Sequence, residues 1–452
     1  MLLRLSSKRK GSLITSFVLE AFIASFYVVI TRSLTPIFLI SVGLSINDLL
    51  MLNIIAYIFA LIFAYVLYKY GEFLKSNVKL KLLIVHGLER VFWGIIPLAV
   101  ILSPIALYID YIIAVALTIP TSIFINIIFF TEFDDKDLRR LLTRRGALGA
   151  VSNVIGQVAI VIILASMTDP SKYLYLYMVA MFVGFVSTLL LIPAPIPREI
   201  TERSKRIIVE EEVSIKAVNV FLFLTALLAS GAILGVVWAP HLMKSLNAPD
   251  YLAASLGLIQ TVATIGSSIF WGGKSYKVYK YAIFLNSIIP ISIALTFKAE
   301  IHLAIAAIYA FAYTGSNFLA SFIYGELSKS AEVTKTPTML VAANSLAQIL
   351  GLGIAYMMGQ NIMYMFLTAT VLSIIASFIA LVAIPEIAIP PERYVRTYSR
   401  ILYRNSLSSY NFTMFTLKST AILTIKLLGL SFIFLILYII YRTLYYIIMI
   451  AS

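Results

Sequence analysis

Long apolar stretches alternate with short polar segments along almost the whole chain. An α-helix needs about 20 mostly apolar residues to cross a bilayer, and thirteen stretches meet that length. They cover residues 12–41, 48–69, 82–102, 106–130, 146–166, 172–193, 217–240, 251–271, 278–297, 301–325, 337–358, 362–385 and 422–449. The pattern therefore predicts an all-α protein that crosses a membrane many times.

The composition agrees with a membrane protein and narrows the chemistry. The chain has 452 residues, of which 61% are hydrophobic and 12% are charged, whereas a soluble domain has about 25% charged residues. It has no cysteine, and its three histidines lie on separate predicted segments without a second ligand at helical spacing. We therefore expect no metal and no other cofactor. An enzyme would need acidic or nucleophilic residues clustered at one face, and the sequence shows no such cluster, so we do not expect an enzyme.

Basic residues predict the orientation in the membrane. The net charge of +14 would suggest nucleic acid in a soluble protein, but here it follows the predicted loops. With the N-terminus in the cytoplasm, 28 of the 35 Lys and Arg residues fall in cytoplasmic segments and three fall in outer loops. Cytoplasmic loops of membrane proteins carry this excess. The bias predicts a cell-membrane protein with a cytoplasmic N-terminus and, after thirteen crossings, a C-terminus outside the cytoplasm.

Two charged segments divide the chain. Residues 194–216 are rich in proline and charge and are interpreted as a cytoplasmic linker between six-helix halves at 1–193 and 217–385. Residues 386–421 form a second cytoplasmic segment, and residues 422–452 hold the extra helix. That helix could shield the flank of the bundle or mediate a dimer, so the oligomeric state stays open.

Matching residues in the two halves predict an internal repeat. Three kinds of match recur in the same order, each six spans apart: a proline near the end of a span, a Ser and Glu pair at an offset of 194, and an Asn-x-x-x-Gln motif at an offset of 191. The pairs are Pro36 with Pro240, Ser122 with Ser316, Glu132 with Glu326, Asn153 with Asn344 and Gln157 with Gln348. Such repeats are common in transporters, so we predict two six-helix bundles related by a pseudo-two-fold axis.

Over residues 1–385 the chain resembles the major facilitator superfamily. The resemblance lies in Arg32 to Pro36 followed by Gly43-Leu-Ser, in Gly71 and Gly273 before basic loops, and in Arg144-Arg145-Gly146-Ala-Leu-Gly. The loop after the second span, GEFLKSNVKLK, lacks the Asp-Arg pair and second glycine of the family motif. The resemblance implies two six-helix bundles, a central cavity at mid-membrane and alternating access by rocking.

The expected function is therefore that of a secondary active transporter, a permease that moves a small solute across the cell membrane, with protons as a candidate coupling ion. Its partners would be the lipid bilayer, the solute and protons. A lipid or glycolipid flippase or exporter is an alternative, and so is a non-transporting membrane scaffold or receptor. A lateral opening with apolar walls would favour the flippase, and a closed core would favour the scaffold.

Ionisable residues inside spans are costly and are candidates for function. Glu20 on the first span and Arg90 on the third lie at similar predicted depths, and either form a structural ion pair or make Glu20 a proton-coupling group. His86 is close enough along its helix to join them. Glu89 and Arg90 are sequence neighbours, so we expect them to point to different sides of the helix, each with its own partner.

Arg32, four residues before Pro36 in the first span, is a further charged candidate. A fixed guanidinium facing the cavity would suit an anionic substrate. The alternative is an arginine that extends to the membrane interface, or that pairs with Asp48 or Asp110.

Uncharged polar residues on the expected cavity spans form a further group. Such groups orient ligands in pockets, although Ser, Thr and Asn also bond helices together in membranes. The candidates are Tyr27, Thr31, Ser122, Asn126, Asn153, Gln157, Trp238, Gln260, Tyr313, Ser316, Asn317, Asn344 and Gln348. The candidates for a cytoplasmic salt-bridge gate are Glu132, Arg139, Arg140 and Glu326.

Overall fold

A computed structural model describes residues 2–167, 171–199, 211–328, 335–391 and 393–408, and within these ranges it contains helices and no strand. The helices are α1 (Leu2–Val28), a π-helical turn (Val29–Ser33), α2 (Leu34–Ser41), α3 (Ile46–Lys69), α4 (Glu72–Lys75), α5 (Val78–Gly94), α6 (Ile96–Leu102), α7 (Pro104–Glu132), α8 (Asp135–Ser166), α9 (Ser171–Leu189), α10 (Glu211–Lys244), α11 (Asp250–Trp271), a 3₁₀ turn (Tyr276–Val278), α12 (Tyr279–Ala294), α13 (Ile301–Ser328), α14 (Lys335–Met357), α15 (Ile362–Ala383) and α16 (393–408).

Helices lie at each of the first twelve predicted spans. Within the described ranges, eight helices are long and apolar enough to cross a membrane, and nine are if the bent pair α5 and α6 is one span. The prediction of an all-α, multi-pass protein is confirmed. The thirteenth predicted span, 422–449, lies outside the described residues, so a total of twelve spans plus one stays a prediction.

The first span is interrupted by the π-helical turn that carries Arg32. Pro36 follows at the position whose N–H would bond to the carbonyl of Arg32 in a regular α-helix, and proline has no N–H. The Thr31 hydroxyl bonds back to the carbonyl of Tyr27 at 2.9 Å, and the hydroxyl of Thr35 bonds back to the carbonyl of Thr31 at 2.5 Å. π-turns inside α-helices are frequent at functional sites, and this one places Arg32 within the first span.

Local chemistry determines where several helices begin and bend. Ser45 and Asp48 form a capping box at the start of α3, in which each side chain accepts a hydrogen bond from the backbone N–H of the other residue. Ser103 caps α7 by accepting from the N–H of Ala106 at 3.0 Å. The axis bends by 52° between α5 and α6, at Ile95. This bend lies within the predicted span 82–102.

The two most extensive contacts between the first six spans and the second six are each made by one helix pair. α3 packs on α14, and α8 packs on α11. The first pair joins the second span to the eleventh, and the second pair joins the eighth span to the fifth. Because the second and eighth spans correspond in the repeat, as do the fifth and eleventh, the two contacts are equivalent. Other extensive contacts stay within a half, such as α1 with α8 and α10 with α15. This arrangement is what a two-fold repeat produces, although the predicted domain boundaries remain predictions.

Three segments differ from the sequence expectation. α8 begins at Asp135, ahead of the predicted start at 146, and α10 begins at Glu211, inside the predicted linker. Residues 393–408, predicted as part of a polar cytoplasmic segment, are helical. This helix packs on the second half through Ser399, whose hydroxyl donates to the carbonyl of Ala383 at 2.7 Å. Residues 393–408 have no long apolar run, so a search for membrane spans misses this helix.

Candidate functional site

Three cavities adjoin one another in the middle of the helix bundle. The first, called here the junction cavity, has a volume of about 310 Å³ and takes its walls from both halves. Arg32 and Gln157 line it from the first half, and Trp238 and Gln260 line it from the second. The other two cavities adjoin it, because each shares wall residues with it.

The charged cavity lies in the first half and has a volume of about 530 Å³. It shares Arg32 with the junction cavity. Its walls come from α1, α5, α7 and α8 with the π-turn, and its charged and polar lining residues are Glu20, Ser25, Arg32, Glu89, Arg90, Thr121, Ser122, Arg145 and Asn153.

The neutral cavity lies in the second half and has a volume of about 320 Å³. It shares Trp238 and Gln260 with the junction cavity. Its other polar and aromatic lining residues are Thr264, Tyr309, Tyr313, Asn344 and Gln348, and no charged residue of the described chain lines it. We call the three together the central cavity.

The structure brings most of the predicted polar residues to this central cavity. They are Glu20, Arg32, Arg90, Ser122, Asn153, Gln157, Trp238, Gln260, Tyr313, Asn344 and Gln348. Five others are placed elsewhere. Tyr27 and Thr31 are buried in helix contacts, Ser316 bonds back to the carbonyl of Ala312, and Asn126 and Asn317 do not line these cavities.

Glu20 lies at the centre of a buried polar cluster. Its Oε1 is 3.2 Å from Nε2 of His86 and 4.0 Å from Nη2 of Arg90, and its Oε2 is 3.1 Å from Nη2 of Arg145. The Glu20 side chain is 1% exposed, whereas the Arg145 side chain is 24% exposed and faces the charged cavity. The predicted proximity of Glu20, His86 and Arg90 is therefore present in the structure, and Arg145 completes the cluster.

Glu89 forms a second cluster with two arginines. Its Oε1 is 3.0 Å from Nη1 of Arg90 and 2.5 Å from Nη2 of Arg32. Glu89 and Arg90 thus each have a partner of their own, Arg32 and His86, and the long Arg90 side chain also reaches back to the carboxylate beside it. The guanidinium of Arg90 also lies 4.5 Å over the ring of Tyr27, whose hydroxyl donates to the carbonyl of Glu89 at 3.1 Å.

Arg32 has neither of its expected partners. Asp48 is used in the cap of α3, and Asp110 is buried with both carboxylate oxygens unpaired among the described residues. Besides the carboxylate of Glu89, the Arg32 guanidinium contacts the Trp93 ring, at 5.4 Å from its centre. The Arg32 side chain is still 39% exposed, to the charged and junction cavities.

His86 connects the two clusters. Its Nε2 is 2.8 Å from Nη2 of Arg90, and its Nδ1 is 2.7 Å from the hydroxyl of Thr188. A guanidinium can only donate, so the shorter contact of Nε2, the one with Arg90, makes Nε2 an acceptor and places the ring proton on Nδ1, where it donates to Thr188. In this tautomer the 3.2 Å approach of Nε2 to the Glu20 carboxylate is not a hydrogen bond. His86 is therefore assigned as the neutral imidazole.

Sequence reasoning missed Arg145 as a cavity residue. Arg145 lies one residue before the predicted span 146–166, yet α8 begins at Asp135 and therefore includes it. The sequence does carry a signal for its position. Arg145, Gly149 and Asn153 are four residues apart, and residues four apart share a helix face. All three line the charged cavity.

An ion pair joins the two halves at one end of the bundle. Nζ of Lys172, at the start of α9, is 2.6 Å from Oδ2 of Asp250, at the start of α11. The hydroxyl of Tyr173 donates to the same oxygen at 2.7 Å. α2 contacts α10 and α11 at this end as well. We call Lys172, Tyr173 and Asp250 the latch.

The opposite end carries basic residues that pair within the first half. Arg9 is 3.2 Å from Glu132, and Lys10 is 3.1 Å from Asp134 and 3.4 Å from Asp137. Asp134 caps α8, and the hydrogen bond from the backbone N–H of Asp137, together with Lys10, lowers the pKa of its carboxyl. The gate predicted from Glu132, Arg139, Arg140 and Glu326 stays a prediction: Glu132 pairs with Arg9, Arg140 is exposed, and the other two side chains lie outside what the structure describes.

In the neutral cavity, Trp238 is held by a histidine. Its Nε1 donates to Nδ1 of His302 at 3.0 Å, and Nε2 of His302 donates to the carbonyl of Thr296 at 3.0 Å. The chain of two bonds fixes the indole in the cavity wall. Among the described residues no cluster of His, Asp and Glu could hold a metal ion.

Comparison with known proteins places this arrangement in a fold. No family profile matches the chain, and no curated protein sequence matches it. Solved structures do match, among them a variant of the nucleoside transporter NupG, with 12% identity over 81% of this chain and 98% of that chain and a TM-score of 0.61. A bacterial homologue of the iron transporter ferroportin, in an inward-facing state, is 12% identical over 81% of this chain and 97% of that chain, also with a TM-score of 0.61.

The fucose:proton symporter FucP of E. coli, a major facilitator superfamily transporter, is 11% identical over 81% of this chain and 97% of that chain, with a TM-score of 0.56. Identities this low establish the fold and nothing finer. The chain therefore has the fold of the major facilitator superfamily, as its sequence indicated.

Proposed function

We propose that this protein is a secondary active transporter that moves a small solute across the cell membrane by alternating access. The observation that carries the proposal is the central cavity, whose polar walls come from both halves, together with the latch that joins these halves at one end. A solute held between two halves can be released on either side when the halves rock about it. The nucleoside transporter and the fucose symporter with the same fold support this function.

The distribution of basic residues supports an orientation. The end opposite the latch carries Arg9, Lys10 and Lys79, and cytoplasmic segments are the ones enriched in Lys and Arg. We therefore assign the latch to the outer face and the structure to a state that is closed outside. The N-terminus would then be cytoplasmic.

Proton coupling is the finer part of the proposal, and Glu20 is its candidate. Its carboxylate lies in the wall of the charged cavity and holds Arg145 from α8. Protonation of Glu20 would remove the charge that holds Arg145, which gives the helix contact two states. Glu20→Gln should then make uptake independent of a proton gradient, whereas Asp134→Asn, at the bundle surface, should leave the dependence unchanged.

The cavity walls favour a permease over the alternatives. A lipid flippase needs an apolar surface for acyl chains, whereas five charged side chains line the charged cavity. A non-transporting scaffold predicts a closed core, whereas the junction cavity connects α2, α8, α10 and α11. Charged side chains inside a membrane are costly in free energy, so a cavity lined by five of them is expected to be functional.

Cysteine labelling tests alternating access without knowledge of the solute. The chain has no cysteine, so a single Gly235→Cys substitution gives a unique reporter. Gly235 lines both the junction and neutral cavities, and a Cβ added there meets no atom within 4 Å. We expect a membrane-impermeant maleimide to label it quickly from the cytoplasmic face of oriented vesicles and at least tenfold more slowly from the outer face.

Ser316→Cys is the matched control, because Ser316 is fully buried in α13 and should not be labelled from either face. Absence of labelling at Gly235→Cys from both faces would support the scaffold and contradict the proposal. Equal rapid labelling from both faces would also contradict it, since that result describes an open pore.

A further inference from the structure

We infer that the solute is a small organic anion with one negative charge on an uncharged polar or aromatic body. The inference rests on the proposed function and specifies its substrate class. It follows from two features of the central cavity: the balance of charge in its walls, and the separation of charged from uncharged groups between the halves.

The described walls of the charged cavity hold more positive than negative charge. Three guanidiniums, from Arg32, Arg90 and Arg145, face two carboxylates, from Glu20 and Glu89. The neutral imidazole of His86 adds no charge. Although each guanidinium contacts a carboxylate, the cavity keeps one positive charge in excess within the membrane, where uncompensated charge is costly. A bound anion with one charge would balance the site.

The two carboxylates are already committed to arginines, and this leaves guanidinium surface toward the cavity. Glu20 and Glu89 are each 1% exposed. Arg32 is 39% exposed and Arg145 is 24% exposed, although both are ion-paired. A guanidinium has five N–H donors in a planar fork, so each can bond a carboxylate of the protein and an oxyanion of a ligand at once. A ligand cation would meet the wrong sign.

Arg32 lies at the boundary between the region that would bind the charged end of the ligand and the region that would bind its uncharged body. It lines both the charged and the junction cavity. Beyond the junction, the neutral cavity offers aromatic rings and amides: Trp238, Gln260, Tyr309, Tyr313, Asn344 and Gln348. The ring centres of Tyr309 and Tyr313 are 5.4 Å apart. Such a wall suits a sugar or an aromatic ring with hydrogen-bonding groups. Its described residues include no charged side chain that could pair with a second charge on the ligand.

A series of compounds with one shared ring tests the sign and number of charges. Benzamide is neutral, benzylamine is a cation, benzoate and benzenesulfonate are monoanions, and phenyl phosphate is largely a dianion at neutral pH. Glucose and glucuronate form the same comparison on a sugar. We expect benzoate, benzenesulfonate or glucuronate to raise the melting temperature of the detergent-purified protein by mass action, and benzamide, benzylamine and glucose to leave it unchanged.

Variants that change the charge balance separate binding from mere stability. Arg32→Ala makes the cavity neutral and should weaken the monoanion by about tenfold or more, the loss typical of one charged hydrogen bond. Glu89→Gln raises the excess to two and should shift preference from benzenesulfonate to phenyl phosphate. The Arg32→Ala/Glu89→Gln double variant restores an excess of one and should recover monoanion binding in part. Arg400→Ala, on the exposed side of α16, is the control and should bind like the wild type.

Each ligand shift is measured against the melting temperature of the same unliganded variant, so a loss of stability cannot pass for a loss of binding. Equal stabilisation by neutral, cationic and anionic members would overturn the inference. So would an Arg32→Ala variant that binds monoanions as tightly as the wild type, or a Glu89→Gln variant with unchanged preference. Binding of neutral compounds with one-sided labelling of Gly235→Cys would leave the permease standing. Anion binding without labelling from either face would leave the anion site standing and overturn the permease.

Discussion

The side chains of Arg32 and Glu89 meet at 2.5 Å across the first and third spans, and this contact connects the π-turn of the first span to the buried ion cluster. Glu89 is 1% exposed, whereas Arg32 keeps 39% of its surface open to the cavity. One carboxylate therefore positions a cation that remains accessible to a ligand. The same pair therefore contributes to the stability of the bundle and presents a cation to the cavity.

Removal of the buried carboxylate should be costly. Glu89→Ala leaves Arg32 and Arg90 without their common partner, and the loss of one member of a buried ion pair destabilises by about 3–5 kcal/mol. Glu132→Ala removes an ion pair whose two side chains are 49% and 24% exposed, where about 1 kcal/mol or less is expected. Melting temperatures of the two variants in one detergent should differ clearly, and equal losses would contradict the assignment of Glu89 to a buried cluster.

The latch should control access from the outer face. Asp250→Ala removes the contacts of Lys172 and Tyr173 with one carboxylate oxygen. Charged hydrogen bonds contribute about 1.5–3 kcal/mol each, so the outward-open population should rise by about tenfold or more. Gly235→Cys in this background should react faster with maleimide from outside and more slowly from inside.

Asp48→Ala is the matched control for the latch, because Asp48 lies at the same end and caps α3 within one half. It should leave the labelling rates of Gly235→Cys unchanged. If Asp250→Ala labels like its parent, the ion pair does not hold the halves together.

Two glycines of α14 should respond in opposite ways to the same substitution. A Cβ on Gly351 would lie against the backbone of Ala229 in α10, with the carbonyl carbon at 2.9 Å, and backbone cannot move aside as a flexible side chain can. A Cβ on Gly353 meets no atom within 4 Å. Gly351→Ala should therefore lower the melting temperature by separating α10 from α14.

Gly353→Ala should raise the melting temperature slightly, since alanine favours helix over glycine by about 1 kcal/mol. The same outcome for both variants would show that α10 and α14 do not approach as closely as described.

Asp110 is the buried carboxyl that the proposed mechanism does not use. It is 5% exposed, and neither of its oxygens has a hydrogen-bond partner among the described residues. An unsatisfied buried polar group costs about 1–3 kcal/mol, so Asp110→Leu should raise the melting temperature and preserve the one-sided labelling of Gly235→Cys. A variant that melts lower, or that is labelled equally from both faces, would assign Asp110 a role in the transport cycle.

Sequence reasoning was strongest for features that depend on local patterns. Apolar runs predicted the helices because a bilayer imposes their length, and the positions of Gln157, Gln260 and Gln348 on cavity spans followed from the resemblance. Contacts between helices could not be read from the chain. Arg32 was expected near Asp48 or Asp110 and pairs with Glu89, since the partner of a buried charge depends on which helix faces adjoin.

Arg145 and the start of α8 show a second limit of prediction from the sequence. A span predicted from hydropathy stops at the first charges, but a helix continues through them, so Arg145 was counted as loop and lies in the cavity wall. The early start of α8 is explained by the Asp134 cap and was not visible in hydropathy.

Transport itself is tested most directly by uptake into proteoliposomes that contain the purified protein and no other. Labelled benzoate and glucuronate would be followed inside vesicles preloaded with the same unlabelled anion, with Arg32→Ala protein and protein-free vesicles in parallel. The account predicts saturable accumulation of at least one of these anions, reduced by about tenfold or more in Arg32→Ala. Anions that stabilise the protein but enter its vesicles no faster than protein-free vesicles would contradict the claim that this chain is a transporter of small organic anions.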